Sequence, residues 1–150
     1  MELKVPPVIL VLFTAIGMLL ISKLAPSFGL IISGRLIIGI LLIFIGIVIA
    51  ISGVIEFRRA NTTVDPRDPN KSARLVNTGV YTFSRNPMYL GFALILLGWL
   101  VMLANIAAMI LLPVFVFYLT QFQIKPEERF LSQKFGTEFD EYRRRVRRWI

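Results

Sequence analysis

Two groups of residues in this 150-residue chain have the types and spacing to do chemistry. The first lies between Gly79 and Gly91 and holds Gly79, Tyr81, Arg85, Asn86, Pro87 and Tyr89; the second is the pair Glu127-Glu128. Both stand at the edges of apolar stretches, where ionisable groups are costly without a partner or a purpose. A cationic ligand would supply the carboxylates with that partner. Each group also has a plain structural reading. Asn86 can cap a helix whose first residue is Pro87, with Arg85 at headgroup level. Tyr81 and Tyr89 can be interfacial aromatics, and Glu127-Glu128 can be first-turn acids that complement a helix dipole.

The chain has neither cysteine nor histidine. Thiol nucleophiles, disulfides, cysteine metal sites and the common near-neutral proton shuttle are therefore missing. Any chemistry must use carboxylates, Tyr, Lys, Arg, the backbone or a cofactor, and no metal is called for.

The elements that must position these residues are apolar. The chain is 56% hydrophobic, with a mean hydropathy of +0.72, too little polar surface for a soluble domain of this length. A helix of about 20 apolar residues crosses a bilayer. Four stretches qualify or nearly qualify: Pro6 to Leu24, Arg35 to Phe57, Pro87 to Leu103 and Ile106 to Phe122. The first is too long for a signal-peptide core and no small-residue cleavage motif follows it, so it is read as a retained helix. The last two are separated by Ala104-Asn105 alone, which predicts a tight antiparallel hairpin. With four spans, one side of the membrane holds 15 of the 17 Lys and Arg residues, all but Lys23 and Arg35, and that side is expected to be cytoplasmic. The net charge of +8 then follows the membrane edge and needs no nucleic acid.

Gly39, Gly46 and Gly53 recur at seven-residue spacing, which offers one helix face for close approach of a neighbour. The 58–86 connection contains the turn-rich Asp65-Pro66-Arg67-Asp68-Pro69-Asn70 and ends in apolar residues expected to pack: Leu75, Val76, Val80, Tyr81 and Phe83. Beyond the fourth span, Pro126 is expected to start a new helix. Leu131, Phe135, Phe139, Tyr142, Val146 and Trp149 form a helical stripe that Gly136 splits. Arg143, Arg144, Arg145, Arg147 and Arg148 occupy the opposite face, which predicts an amphipathic segment on the cytoplasmic membrane surface. The expected fold is all-α: a polytopic membrane protein of about four transmembrane helices with a C-terminal hairpin. It forms a single domain, with anchoring helices over 1–57, a cytoplasmic loop over 58–86, the hairpin over 87–124 and the interfacial segment over 125–150. Folding back the hairpin brings Pro87 and Glu128 to one membrane face, so that the two polar groups become neighbours.

Leu75-Val76-Asn77-Thr78-Gly79-Val80-Tyr81, then Arg85-Asn86-Pro87-Met88-Tyr89-Leu90-Gly91, Glu127-Glu128 and Phe135-Gly136-Thr137-Glu138-Phe139-Asp140-Glu141-Tyr142 together resemble the isoprenylcysteine carboxyl methyltransferase family and the related phospholipid methyltransferases. The likeness covers roughly residues 75–149, in order and spacing. It implies an integral, multi-pass membrane methyltransferase (of the plasma or inner membrane in a prokaryotic host) that uses S-adenosylmethionine, held between the cytoplasmic helix ends and the C-terminal segment. The family's Arg-His-Pro-x-Tyr motif maps to Arg85, Asn86, Pro87 and Tyr89, its Gly-x-Tyr motif to Gly79 and Tyr81, and its acidic pair to Glu127 and Glu128. Asn86 stands where many members have His; Asn keeps hydrogen bonding there but not proton transfer. Gln123 stands where many eukaryotic members carry Arg.

On that resemblance, Glu128, with Glu127 second, complements the cofactor's amino group or positive charge. Arg85 orients the cofactor carboxylate or the acceptor. Tyr81 and Tyr89 wall the adenosine site or position the methyl, and backbone groups near Val80 and Leu90 contact the adenosine. The acceptor is a lipophilic small molecule or lipid, with an isoprenylcysteine-like carboxylate favoured. A phospholipid amine methyltransferase, a membrane sterol-type reductase and a non-catalytic scaffold are the alternatives.

Overall fold

Runs of Leu, Ile, Val and Phe in an apolar solvent leave the backbone few ways to satisfy its amides other than the helix. All four apolar stretches are helical in the computed structural model, which describes residues 5–60 and 74–150. The turn-rich Asp65–Asn70 stretch lies outside the described residues. Helix α1 spans Pro7–Leu24 and α2 spans Arg35–Arg59, entered through Gly34 at φ 72°. A short 3-10 turn at Gly79–Thr82 precedes α3, Pro87–Leu103. Another turn, Ala107–Ile110, runs into α4, Leu111–Leu119, followed by α5, Lys125–Phe135, and α6, Thr137–Arg145.

Three of these helical runs are long and apolar enough to cross a membrane: Pro7–Leu24, Arg35–Arg59 and the 29-residue Ala107–Phe135. Helix α3 is shorter, at 17 residues, about 26 Å against about 30 Å of hydrocarbon.

The last long run corrects one expectation. The helix does not stop at Phe122 to restart at Pro126. A π-helical stretch, Thr120–Ile124, joins α4 to α5, and the Lys125 N–H bonds the Thr120 carbonyl five residues back. Proline inside an α-helix lacks the N–H for its bond and clashes with the carbonyl four residues earlier. The extra residue per turn widens the helix where Pro126 would otherwise break it.

The glycine stripe of α2 finds its neighbour in α3, which carries the same spacing. A Cβ on Gly46 would lie 2.6 Å from the Gly91 carbonyl oxygen, and one on Gly98 would lie 2.6 Å from that of Gly39. The two backbones therefore touch along the crossing, and α2 is the most extensive partner of α3. At the far end, Asn105 stitches the α3–α4 turn to the α1–α2 connection: its Nδ2 donates to the Ala25 carbonyl at 2.9 Å and its Oδ1 accepts from the Ala108 N–H at 3.1 Å. Trp99 Nε1 donates to the Ala15 carbonyl at 3.0 Å, which ties α3 to α1.

The C-terminal stripe is also corrected. Phe139, Tyr142 and Val146 are buried against Val76 and Tyr81, with Leu131 and Phe135 packed beside them. The stripe faces protein, not lipid, because the chain around Tyr81 offers it a complementary apolar surface. Gly136, at φ 51°, does split the segment into two helices. Of the apolar residues at the end of the 58–86 connection, Leu75, Val76, Val80 and Tyr81 pack, but Phe83 is 80% exposed.

Candidate active site

Both polar groups singled out in the sequence meet at one end of the bundle. They line a cavity of about 80 Å³ walled by Phe57, Tyr81, Tyr89, Phe139 and Tyr142, with Arg74, Arg85, Asn86, Glu127 and Glu128 as its charged and amide residues. Val80, Pro87 and Leu90 do not line it. Pro87 is buried on the side facing Gly53 of α2. The Leu90 N–H is committed to the Asn86 carbonyl at 2.9 Å inside the helix, and the Val80 carbonyl accepts from Phe83 and Ser84. Asn86 occupies the N-cap position, but its side chain makes no cap; Nδ2 donates to the Arg148 carbonyl at 3.0 Å.

The two carboxylates differ in company. Glu127 lines the cavity and accepts one hydrogen bond, from the Tyr89 hydroxyl at 2.5 Å. Glu128 is spanned by two guanidiniums. Arg85 Nη2 reaches its Oε1 at 2.6 Å, while Arg148 donates from Nε at 3.0 Å and from Nη2 at 2.6 Å. Charge-assisted forks of this kind are the strong hydrogen bonds of proteins. Arg85 also donates to the carbonyls of Arg143 at 3.1 Å and Val146 at 2.9 Å, closing the C-terminus of α6 with a cation where the helix dipole is negative. Its Nε is buried with no acceptor among the described residues.

Around this clamp the chain after α6 forms a strap. Val146 is extended (φ −120°, ψ 131°). The Arg85 N–H donates to the Arg147 carbonyl at 3.0 Å, and Trp149 Nε1 donates to Thr120 Oγ1 at 3.3 Å on the π-helical stretch. The opposite wall is set by the Gly79–Thr82 turn. The Tyr142 hydroxyl donates to the Tyr81 carbonyl at 2.7 Å, and the Tyr81 ring meets Phe57 edge-on at 5.4 Å. Burial pushes the Tyr81 phenol well above its ordinary range, with Tyr142 and then Glu127 and Glu56 adding to the rise. Burial also raises Tyr142, against the pull of Arg85. Both phenols stay protonated at neutral pH; Tyr142 serves as a donor and both rings as walls.

Two residues of this region were not picked out by their sequence context. Glu56, in the last turn of α2, accepts from Thr78 Oγ1 at 2.9 Å and from Arg59 Nη1 at 3.1 Å. It fills the space beside Gly79, where a Cβ would sit 2.6 Å from its Cδ. The signal was available, since Glu56 is the one acid between Glu2 and Asp65 and an isolated acid in an apolar helix asks for a purpose. Arg148 had no such signal among five arginines.

Acids, arginines and tyrosines from distant segments thus gather at one end of a helical bundle with three runs long and apolar enough to cross a membrane. The chain belongs to the phospholipid methyltransferase family, whose model matches residues 34–138. It is 44% identical over 63 residues to an uncharacterized protein of Haemophilus influenzae, a match covering 42% of this chain and all of that one. It is 39% identical over 75 residues to the protein-S-isoprenylcysteine O-methyltransferase of Saccharomyces cerevisiae, covering 48% of this chain and 30% of the yeast protein. A probable protein-S-isoprenylcysteine O-methyltransferase of Oryza sativa subsp. indica is 32% identical over 109 residues, 73% of this chain and 57% of its own length. The chain thus spans about a third to somewhat over half of these two named relatives. No solved structure matches it.

Proposed function

We propose that this protein is an integral membrane methyltransferase that uses S-adenosylmethionine to methylate the carboxylate of an isoprenylcysteine-like amphiphile at the cytoplasmic face. The observation that carries the proposal is the cavity in which Glu127 faces aromatic walls beside the Arg85–Glu128 pair. Family membership and the named relatives support the reaction type.

The residues fit such a cofactor. A carboxylate and aromatic faces complement a sulfonium, and the unpartnered Nε of Arg85 is a donor for a carboxylate. Bound there, S-adenosylmethionine supplies an electrophilic methyl for in-line displacement. The chain's own residues bind and align. Glu128, first choice on sequence grounds, is engaged by two guanidiniums, so Glu127 is the better-placed partner for the positive charge, oriented by the Tyr89 hydroxyl. Tyr81 and Phe139 supply the walls. A carboxylate acceptor is already ionised at neutral pH, so no general base is required, which suits a site whose phenols Tyr81 and Tyr142 are held protonated. Small-molecule sites occupy about 300–1,000 Å³, well above the about 80 Å³ of this cavity, so admission of the cofactor requires the cavity to widen.

In this reading α3 is a fourth, shorter crossing. That topology places the N-terminus, the 58–86 connection and the C-terminal segment, with 15 of 17 cations, on the cytoplasmic side. The family's description favours one second reading, methylation of a phospholipid amine, in which Glu127 would accept the departing proton. The test is transfer of labelled methyl from S-adenosylmethionine by the full chain in nanodiscs, offered a farnesylcysteine analogue and a lipid extract. Base-labile label in the farnesylcysteine is expected. Label in headgroup amines selects the second reading, and no label in either overturns methyl transfer.

A further inference from the structure

On the outer side of the Glu128 clamp lies a second, more open cleft of about 510 Å³, lined by Lys125, Glu128, Arg129, Ser132, Gln133, Arg143 and Arg148. Among the described residues Glu128 alone lines both this cleft and the aromatic cavity, so the clamp is a wall between them. We propose that the outer cleft is a binding site for a phosphate-bearing anion, whose source is an anionic phospholipid headgroup or a soluble phosphate.

The argument begins with spacing. Lys125, Arg129, Ser132 and Gln133 sit at steps of four, three and one on α5, one face of a helix. Arg143 comes from α6 and Arg148 from the strap, so three segments converge on one concavity. Among the described residues its lining has four cations and one carboxylate. Arg148, with Arg85, is engaged by that carboxylate. Lys125, Arg129 and Arg143 are thus the cations outside the clamp, Arg143 in an exposed pair with Asp140 at 3.5 Å. Guanidinium forks with a hydroxyl and an amide nearby match the oxygens of a phosphate. Depth points the same way. Lys125 directly follows the apolar 111–124 run, so in the topology proposed above the cleft opens where that run ends, at headgroup level. There each nearby cation strengthens the hold on an anionic lipid about fivefold.

The arginine run supplies its own control, because Arg144, Arg145 and Arg147 do not line the cleft. If only diffuse charge held the anion, both sets would matter equally. The proposal does not depend on methyl transfer, and its readout is binding.

The experiment uses the full chain, delipidated in a neutral detergent, titrated calorimetrically with dioctanoyl phosphatidylglycerol and separately with inorganic phosphate. Saturable binding of the lipid is expected. The Lys125→Gln/Arg129→Gln/Arg143→Gln variant should weaken it about a hundredfold. The Arg144→Gln/Arg145→Gln/Arg147→Gln variant, with the same charge change, should weaken it less than about threefold. Inorganic phosphate binding as tightly as the lipid, and lost in the same variant, supports the site and identifies a soluble source. Equal loss in both variants, or no saturation by either anion, overturns the proposal. If the cleft variant does not fold, Lys125→Gln alone carries the test, with a loss of about fivefold expected.

Discussion

Replacing Glu128 by Gln should destabilise the fold more than replacing Arg148 by Gln. Glu128 receives three charge-assisted bonds, from Arg85 Nη2 at 2.6 Å and from Arg148 Nε and Nη2 at 3.0 and 2.6 Å. The Glu128 side chain is 11% exposed, Arg85 is 8% exposed and Arg148 34%. Removing one partner from a buried pair costs about 3–5 kcal/mol, because the other charge stays behind without compensation. Gln keeps a carbonyl acceptor, and water can reach Arg148, so the lower end applies, about 3 kcal/mol. Arg148→Gln leaves the Arg85–Glu128 pair intact and removes a partner already in contact with solvent, costing about 1 kcal/mol. For a chain of this size, about 3 kcal/mol lowers the unfolding midpoint by about 6–12 °C. The assay is thermal unfolding of the two variants and their double in one detergent. The double should lose less than the sum, because both changes break the same bonds. A midpoint for Glu128→Gln within about 1 °C of the parent, or a larger loss for Arg148→Gln, would refute the clamp as a structural element.

Other outcomes follow from the same geometry. Gly46→Ala drives a Cβ to 2.6 Å from the Gly91 carbonyl oxygen, and with backbone on both sides the cost should be about 2–3 kcal/mol. Gly17→Ala meets only a flexible Leu111 methyl at 3.0 Å and should cost under about 1 kcal/mol in the same melt; equal effects would contradict the packing. Tyr142→Phe leaves the Tyr81 carbonyl without its 2.7 Å donor, a loss of about 1–2 kcal/mol in denaturation. If Glu127 complements the sulfonium, Glu127→Gln should weaken S-adenosylmethionine about tenfold more than S-adenosylhomocysteine, whose thioether lacks the sulfonium charge, as for a charge-assisted contact. Equal weakening in calorimetry would remove Glu127 from that role.

Much of the site was legible because it rests on local signals. Pro87 marks where α3 begins, Gly136 marks where the C-terminal segment breaks, and the Glu127-Glu128 pair announces itself by standing at the end of an apolar run. What failed did so at points where local rules lose their grip. Pro126 reads as a helix start, yet a π-helical stretch carries the helix through it. The apolar stripe on α6 reads as membrane-facing, since periodicity identifies the buried face and is silent about what buries it. Phe83 is apolar but exposed, one position beyond a turn whose geometry no periodicity describes.

Composition and periodicity by themselves determined that the chain is helical with runs apolar enough to cross a membrane, that glycines on α2 invite a neighbour, and that acids, arginine and tyrosines gather at one end. These depend on neighbours within a turn or two and on the solvent the residues require. Only the tertiary structure decided that Glu128 is held by two arginines while Glu127 faces the cavity, and that Arg148, alone of its run, closes the clamp. Helical phase ends at Arg145, and in the extended strap beyond it the direction of a side chain is set by contacts with residues more than 60 positions earlier, Ser84 and Asn86.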